Sequence, residues 1–340
     1  MELSSMNVIL LDRTLFVFLF SEALVWFIFF VVFLLSLELL FRWNFNKFDQ
    51  LQYKLEKRAY LVATVVIIIF IFKMILLPFF VFTIDKLSSI VPGAMCGAGV
   101  ISFNNYGMPL LFVKLSILFL LIFWLTLNNN DLKEGTYPYF KAKIWLFVVI
   151  FLMITLELAL EYQFFKAIDI HKVINCCSTL YGLLEGMNPL PFGLDMTRLL
   201  TLFYLLYLLI LSSYFSQKNI LLFFALILFL YLGYFAVLYF FGTYIYQDPN
   251  HNCPFCLLQK EYYYIGYLIW GNLFLGVFIG IVALINEIVF HKKSNYLKKF
   301  MLIMITLFVL LCSAYVGIYY FNNGVFLESV DDGGMAGMMM

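Results

Sequence analysis

The sequence is poor in charge. Of its 340 residues only 12% are Asp, Glu, Lys or Arg, whereas 64% are hydrophobic. The length alone would allow two soluble domains, but soluble chains carry about a quarter charged residues, so the composition excludes them. No glycine-rich phosphate loop with its lysine occurs, and no basic stretch marks a nucleic-acid surface. A nucleotide-hydrolysing transporter is excluded on the same ground, because that activity needs a soluble domain. The net charge of +1 points to no class of charged partner.

What is present instead is long uncharged sequence, with 41 Phe and 23 Tyr. Apolar runs of about 18 residues or more read as membrane spans. Eight occur: Thr14–Phe41, Ala59–Phe82, Pro109–Leu127, Ile144–Phe165, Thr197–Phe215, Ile220–Tyr246, Tyr262–Phe290 and Phe300–Phe321. The expected fold class is an all-α integral membrane protein. The first run lacks a basic leader and a small-residue cleavage site, so it reads as a span rather than a secretory signal. Gln217–Asn219 is short enough to make the fifth and sixth spans an antiparallel hairpin.

Lysine and arginine set the expected orientation. The loops after odd-numbered spans carry 13 of them and the opposite loops carry 6, with Lys73 and Lys114 inside spans. Basic loops stay in the cytoplasm, so both termini are expected outside it. All six cysteines then fall towards the outer face. Cys96, Cys176–Cys177 and Cys253/Cys256 follow the second, fourth and sixth spans, and Cys312 lies in the outer half of the eighth. Thiols persist as disulfides, or cycle through them, on the oxidising side of a membrane.

The segment His251–Tyr264 holds the most chemistry. It contains Cys253-Pro-Phe-Cys256 where a polar loop meets an apolar segment. Pro254 suits a first helical turn, which would place both sulfurs at a positive helix end that favours thiolate. Lys260, four residues after Cys256, would add charge on the same helical face. Such a thiolate exchanges with disulfides and passes electrons on. A structural disulfide or half of a metal site would use the same spacing.

Other features stand beside this one. Glu22 and Lys73 lie about 12 Å inside their spans at 1.5 Å per residue, which suggests a buried ion pair, with a proton route as the alternative. Lys114 enters the third span, and Glu157 and Glu161 share one face of the fourth. Cys96 sits among small residues in Pro-Gly-Ala-Met-Cys-Gly-Ala-Gly, where Met95 offers another soft donor. Gly266, Gly271, Gly276 and Gly280 in the seventh span point to close helix packing. The acidic, glycine-rich end carries Met335, Met338, Met339 and Met340, thioethers of the kind that select Cu(I). A disordered tail would read identically.

At Cys253-Pro-Phe-Cys256-Leu-Leu-Gln259-Lys260 the chain resembles the DsbB family of disulfide-generating membrane proteins. The order from the fourth span to the seventh is similar to vitamin K epoxide reductase homologues. These resemblances imply a four-helix redox bundle over 144–290, between a three-span region at 1–143 and an eighth span with its tail at 291–340. They imply that Cys256 faces a quinone beside Lys260 and Gln259, and that Cys253 exchanges with shuttle cysteines at Cys176 and Cys177. The expected activity is thiol–disulfide oxidoreduction in a bacterial inner membrane, with the cysteine loops in the periplasm and a thioredoxin-like partner. The rival is a copper-handling protein served by a copper chaperone, using Cys96, Cys176, Cys177, His171, His251 and the tail methionines. A structural subunit of a respiratory complex is the third reading.

Overall fold

A computed structural model describes residues 12–43, 49–134, 137–169, 194–249 and 251–327. Among these, eight helical segments are long and apolar enough to cross a membrane, and every regular element is helical. The helices are α1 (Arg13–Arg42), α2 (Gln50–Leu87), the short α3 (Gly97–Ile101), α4 (Gly107–Lys133) and α5 (Phe140–Lys166). They continue with α6 (Met196–Phe215), α7 (Asn219–Ala236), α8 (Gly242–Tyr246), α9 (Ile265–Val289) and α10 (Asn295–Asn323). A π-helical turn at Val237–Phe241 joins α7 to α8 into one span.

Polar residues at the ends mark where helices begin. Asp12 accepts from the amides of Thr14 and Leu15 at 2.9 and 3.0 Å, and Asp49 accepts from Gln52 N at 2.9 Å, so each caps a helix. Gln217 takes a left-handed φ of 54° in the tight turn joining α6 to α7, as the hairpin reading requires. Seven of the expected spans fall within these helices; the seventh begins at Ile265 rather than Tyr262. Tyr263 and Tyr264 both have left-handed φ, 55° and 56°, which breaks the helix there.

The chain divides into two compact units. The first holds α1, α2, α4 and α5, and the second holds α6 to α10 together with the Gly93–Gly99 segment. These boundaries differ from the expected divisions at 143/144 and 290/291. The fourth span packs with the first three because aromatic rings on α5 stack against α1, Phe147 on Phe29 at 5.2 Å and Phe151 on Phe33 at 4.2 Å. The eighth span packs on the seventh, where the glycines open a path for it. A Cβ on Gly276 would stand 3.1 Å from Ile305 and Met304, and one on Gly280 would stand 2.7 Å from Met301. Gly271 has open space around it. The four-helix group containing the Cys-x-x-Cys motif is therefore spans five to eight.

Candidate functional site

Within the second unit, Cys96, Cys253 and Cys256 converge, their sulfurs all within 4.8 Å of one another. Cys96 Sγ lies 3.4 Å from Cys253 Sγ. All three side chains are buried, at 0%, 4% and 5% exposure. The cysteine that the sequence set apart as a soft donor thus belongs to the Cys-x-x-Cys group.

Local backbone geometry makes this possible. Pro254 and Phe255 lead into a single 3-10 turn at Cys256–Leu258, followed by extended Gln259 and a second 3-10 turn at Lys260–Tyr262. The motif is therefore a compact loop laid against α9, and the expected placement at that helix's N-terminus does not hold. Cys256 and Lys260 do not share a continuous helical face, and Lys260 is exposed. Gln259 donates to Met95 O at 3.3 Å, tying the motif to the segment that carries Cys96. The Met95 side chain is 71% exposed, so its thioether is no part of the cluster.

Tyr246 and Trp270, which sequence reasoning passed over, hold the loop together with Gly266, which it read as a helix-packing glycine. Tyr246, at the end of the sixth span, donates its hydroxyl to Cys253 O and accepts from Leu257 N at 3.0 Å. Trp270 on α9 donates to Pro254 O at 3.1 Å. Gly266 is required by space: a Cβ there would stand 2.8 Å from Leu257 C and Cβ. The closeness of Tyr246 to Cys253 in sequence and the i,i+4 spacing of Gly266 and Trp270 were the available signals. His251 stacks on Tyr246 with ring centroids 4.1 Å apart. Asn252 is 3% exposed, and neither atom of its amide has a hydrogen-bond partner. Burial, then the Cys256 sulfur and the Asp248 carboxylate, hold the Tyr262 phenol above its ordinary range. A polar group that lacks a partner here is costly, and any anionic charge added to the loop is felt by its neighbours.

Cys176, Cys177, His171, Met335, Met338, Met339 and Met340 lie outside the described residues. Cys312 is buried within α10 and is not a member of the three-sulfur group.

The first unit contains a polar centre of another kind. Lys73 lies 2.5 Å from Glu22 and 2.6 Å from Glu157. Lys114 lies 3.2 Å from Glu22, 2.6 Å from Glu157 and 2.5 Å from Glu161. The expected Glu22–Lys73 pair is present, and three further charges that the sequence showed separately complete it.

No family model, curated protein or solved structure matches the chain. The two centres have to speak through their own chemistry.

Three buried thiols in contact can do two things. They can exchange one disulfide among themselves, because closing Cys96 and Cys253 from 3.4 Å to bonding distance needs a movement of about 1.4 Å. They can also present three soft donors to one soft ion.

Proposed function

We propose that the protein is a membrane thiol–disulfide oxidoreductase centred on Cys96, Cys253 and Cys256. The observation that carries this reading is the 3.4 Å contact between Cys96 and a member of the Cys-x-x-Cys pair. In the exchange step the Cys96 thiolate attacks Sγ of Cys253 in a Cys253–Cys256 disulfide. The Cys253–Cys256 bond breaks, the Cys96–Cys253 bond forms, and Cys256 leaves as a thiolate that takes up the proton Cys96 gave up. When the Cys253/Cys256 dithiol closes to a disulfide, two electrons and two protons pass to the acceptor.

A membrane quinone is the acceptor class, reduced to its quinol by those two electrons. An aromatic ladder on α9 supports this choice: Trp270, hydrogen-bonded to the motif, is followed by Phe274 and Phe278 at ring separations of 6.2 and 5.9 Å. A flat ring stacks on such a surface. Gln259 supports the Cys96 segment, and Lys260 contributes its charge from the surface. Cys176 and Cys177 remain the proposed entry pair for electrons from a thioredoxin-like partner on the periplasmic side of a bacterial inner membrane.

The test uses full-length protein in lipid nanodiscs, with a dithiol donor and a soluble ubiquinone analogue. Turnover should be abolished by Cys253→Ser and by Cys256→Ser, and lowered at least tenfold by Cys96→Ser. Undiminished quinone reduction in all three variants would sink the proposal. A second reading is favoured by the same three sulfurs, whose mutual spacing suits a three-coordinate Cu(I) ion. One copper retained per chain, lost in each single Cys→Ser variant, with no quinone turnover in the parent protein, would move the assignment to copper handling.

A further inference from the structure

The charged centre of the first unit has a stoichiometry that calls for a ligand. Three carboxylates, Glu22, Glu157 and Glu161, meet two ammonium groups, Lys73 and Lys114, and each of the five side chains is at most 4% exposed. Five of the six carboxylate oxygens pair with an ammonium nitrogen at 2.5–3.2 Å. The sixth, Glu161 Oε2, is buried and has no hydrogen-bond partner. With all five groups ionised the centre carries one uncompensated negative charge inside an apolar helical bundle, where such a charge is strongly disfavoured.

The spare oxygen belongs to a residue that also borders a cavity. A groove of about 520 Å³ runs between α1 and α5, lined by Leu19, Trp26, Leu158, Ala159, Glu161 and Tyr162 among others. Thr155 and Trp26 are hydrogen-bonded across it at 3.1 Å, and its lining is otherwise almost entirely apolar. Glu161 therefore has one oxygen fixed by Lys114 at 2.5 Å and belongs to the wall of an open path.

We propose that Glu161 is a proton-binding site, holding one exchangeable proton on Oε2 that enters and leaves through the α1–α5 groove. The proton neutralises the excess charge of the centre without disturbing any of its five ion pairs. The charged and titratable groups around it are Glu22 from α1, Lys73 from α2, Lys114 from α4, and Glu157, Tyr162 and Lys166 on α5 itself. Lys114 holds the neighbouring oxygen whichever state Glu161 takes, and it also lies over the rings of Phe18 and Phe80 at 5.1 and 4.7 Å, so it is fixed in place. This inference is independent of the thiol chemistry of the second unit.

The experiment labels full-length protein in nanodiscs with dicyclohexylcarbodiimide, an apolar reagent that reacts with protonated carboxyl groups, and locates the adduct by peptide mass spectrometry. One adduct per chain is expected, on Glu161, falling as the pH is raised and absent in Glu161→Gln. The amide keeps an acceptor for Lys114, so this variant should fold, and the infrared spectrum of the unlabelled parent gives a second readout. It should contain one protonated-carboxyl carbonyl band that Glu161→Gln removes and Glu38→Gln leaves. An adduct on Glu22 or Glu157, a carbonyl band that survives Glu161→Gln, or protection of Glu161 by sodium or potassium at constant pH would each overturn the proton assignment.

Discussion

The two units bury polar chemistry by opposite means. In the first, five charges project from four membrane helices and hold one another at ion-pair distances. In the second, three weakly polar thiols are carried by loop segments pinned through backbone hydrogen bonds and one glycine contact. A helix-borne charge cannot be removed without leaving its partners unpaired in an apolar medium. A loop-borne thiol can be replaced with little loss of packing, because the loop is held by its backbone. The first centre is thus bound up with folding, while the second can lose a sulfur with little effect on it.

Substitutions in the two units should differ in the same way. The largest effect should come from Lys114→Met, which removes three ion pairs, leaves Glu161 with no ammonium partner and should destabilise the first unit by about 3–5 kcal/mol. Lys73→Met removes two pairs but leaves Glu22 and Glu157 each paired with Lys114, and should do less. Thermal unfolding in detergent, followed by circular dichroism, would rank them. The reverse order would mean that the ion pairs do not act as one network.

Gly266→Leu comes next. The new side chain meets the Leu257 backbone, and overpacking of this kind costs about 1–3 kcal/mol. Its signature is local: Cys96, Cys253 and Cys256 should become reactive to a maleimide while the first unit keeps its stability. Tyr246→Phe should cost a comparable amount, about 1–3 kcal/mol, by removing the acceptor of Leu257 N and the donor to Cys253 O. Faster hydrogen exchange at the Leu257 amide would register it. Cys256→Ser should change stability least while removing turnover, the separation of fold from chemistry that distinguishes the second centre.

The helices were legible because their signal is long and repeated. The run Thr14–Phe41 predicts α1 to within a residue at each end. Glu22 and Lys73 were paired correctly from depth alone, since a charge that far inside an apolar span requires an opposite one. Lys114, Glu157 and Glu161 were visible too, but helix order in space is not written in one sequence, so their meeting was not. The loop at Cys253 misled for a local reason. Cys-Pro-x-Cys before an apolar run reads as a helix start, yet Tyr263 and Tyr264 take left-handed backbone and delay the helix to Ile265. Cys96 is far from Cys253 in the chain, and only the fold of Gly93–Gly99 with the second unit brings the two sulfurs together.

The meeting of Cys96 and Cys253 can be tested directly. In Cys256→Ser, mild oxidation should join Cys96 to Cys253, because their sulfurs lie 3.4 Å apart and both remain when Cys256 is gone. Non-reducing peptide mapping should recover the Cys96–Cys253 disulfide in most chains. Recovery of Cys96 and Cys253 both alkylated after oxidation would contradict the three-thiol centre.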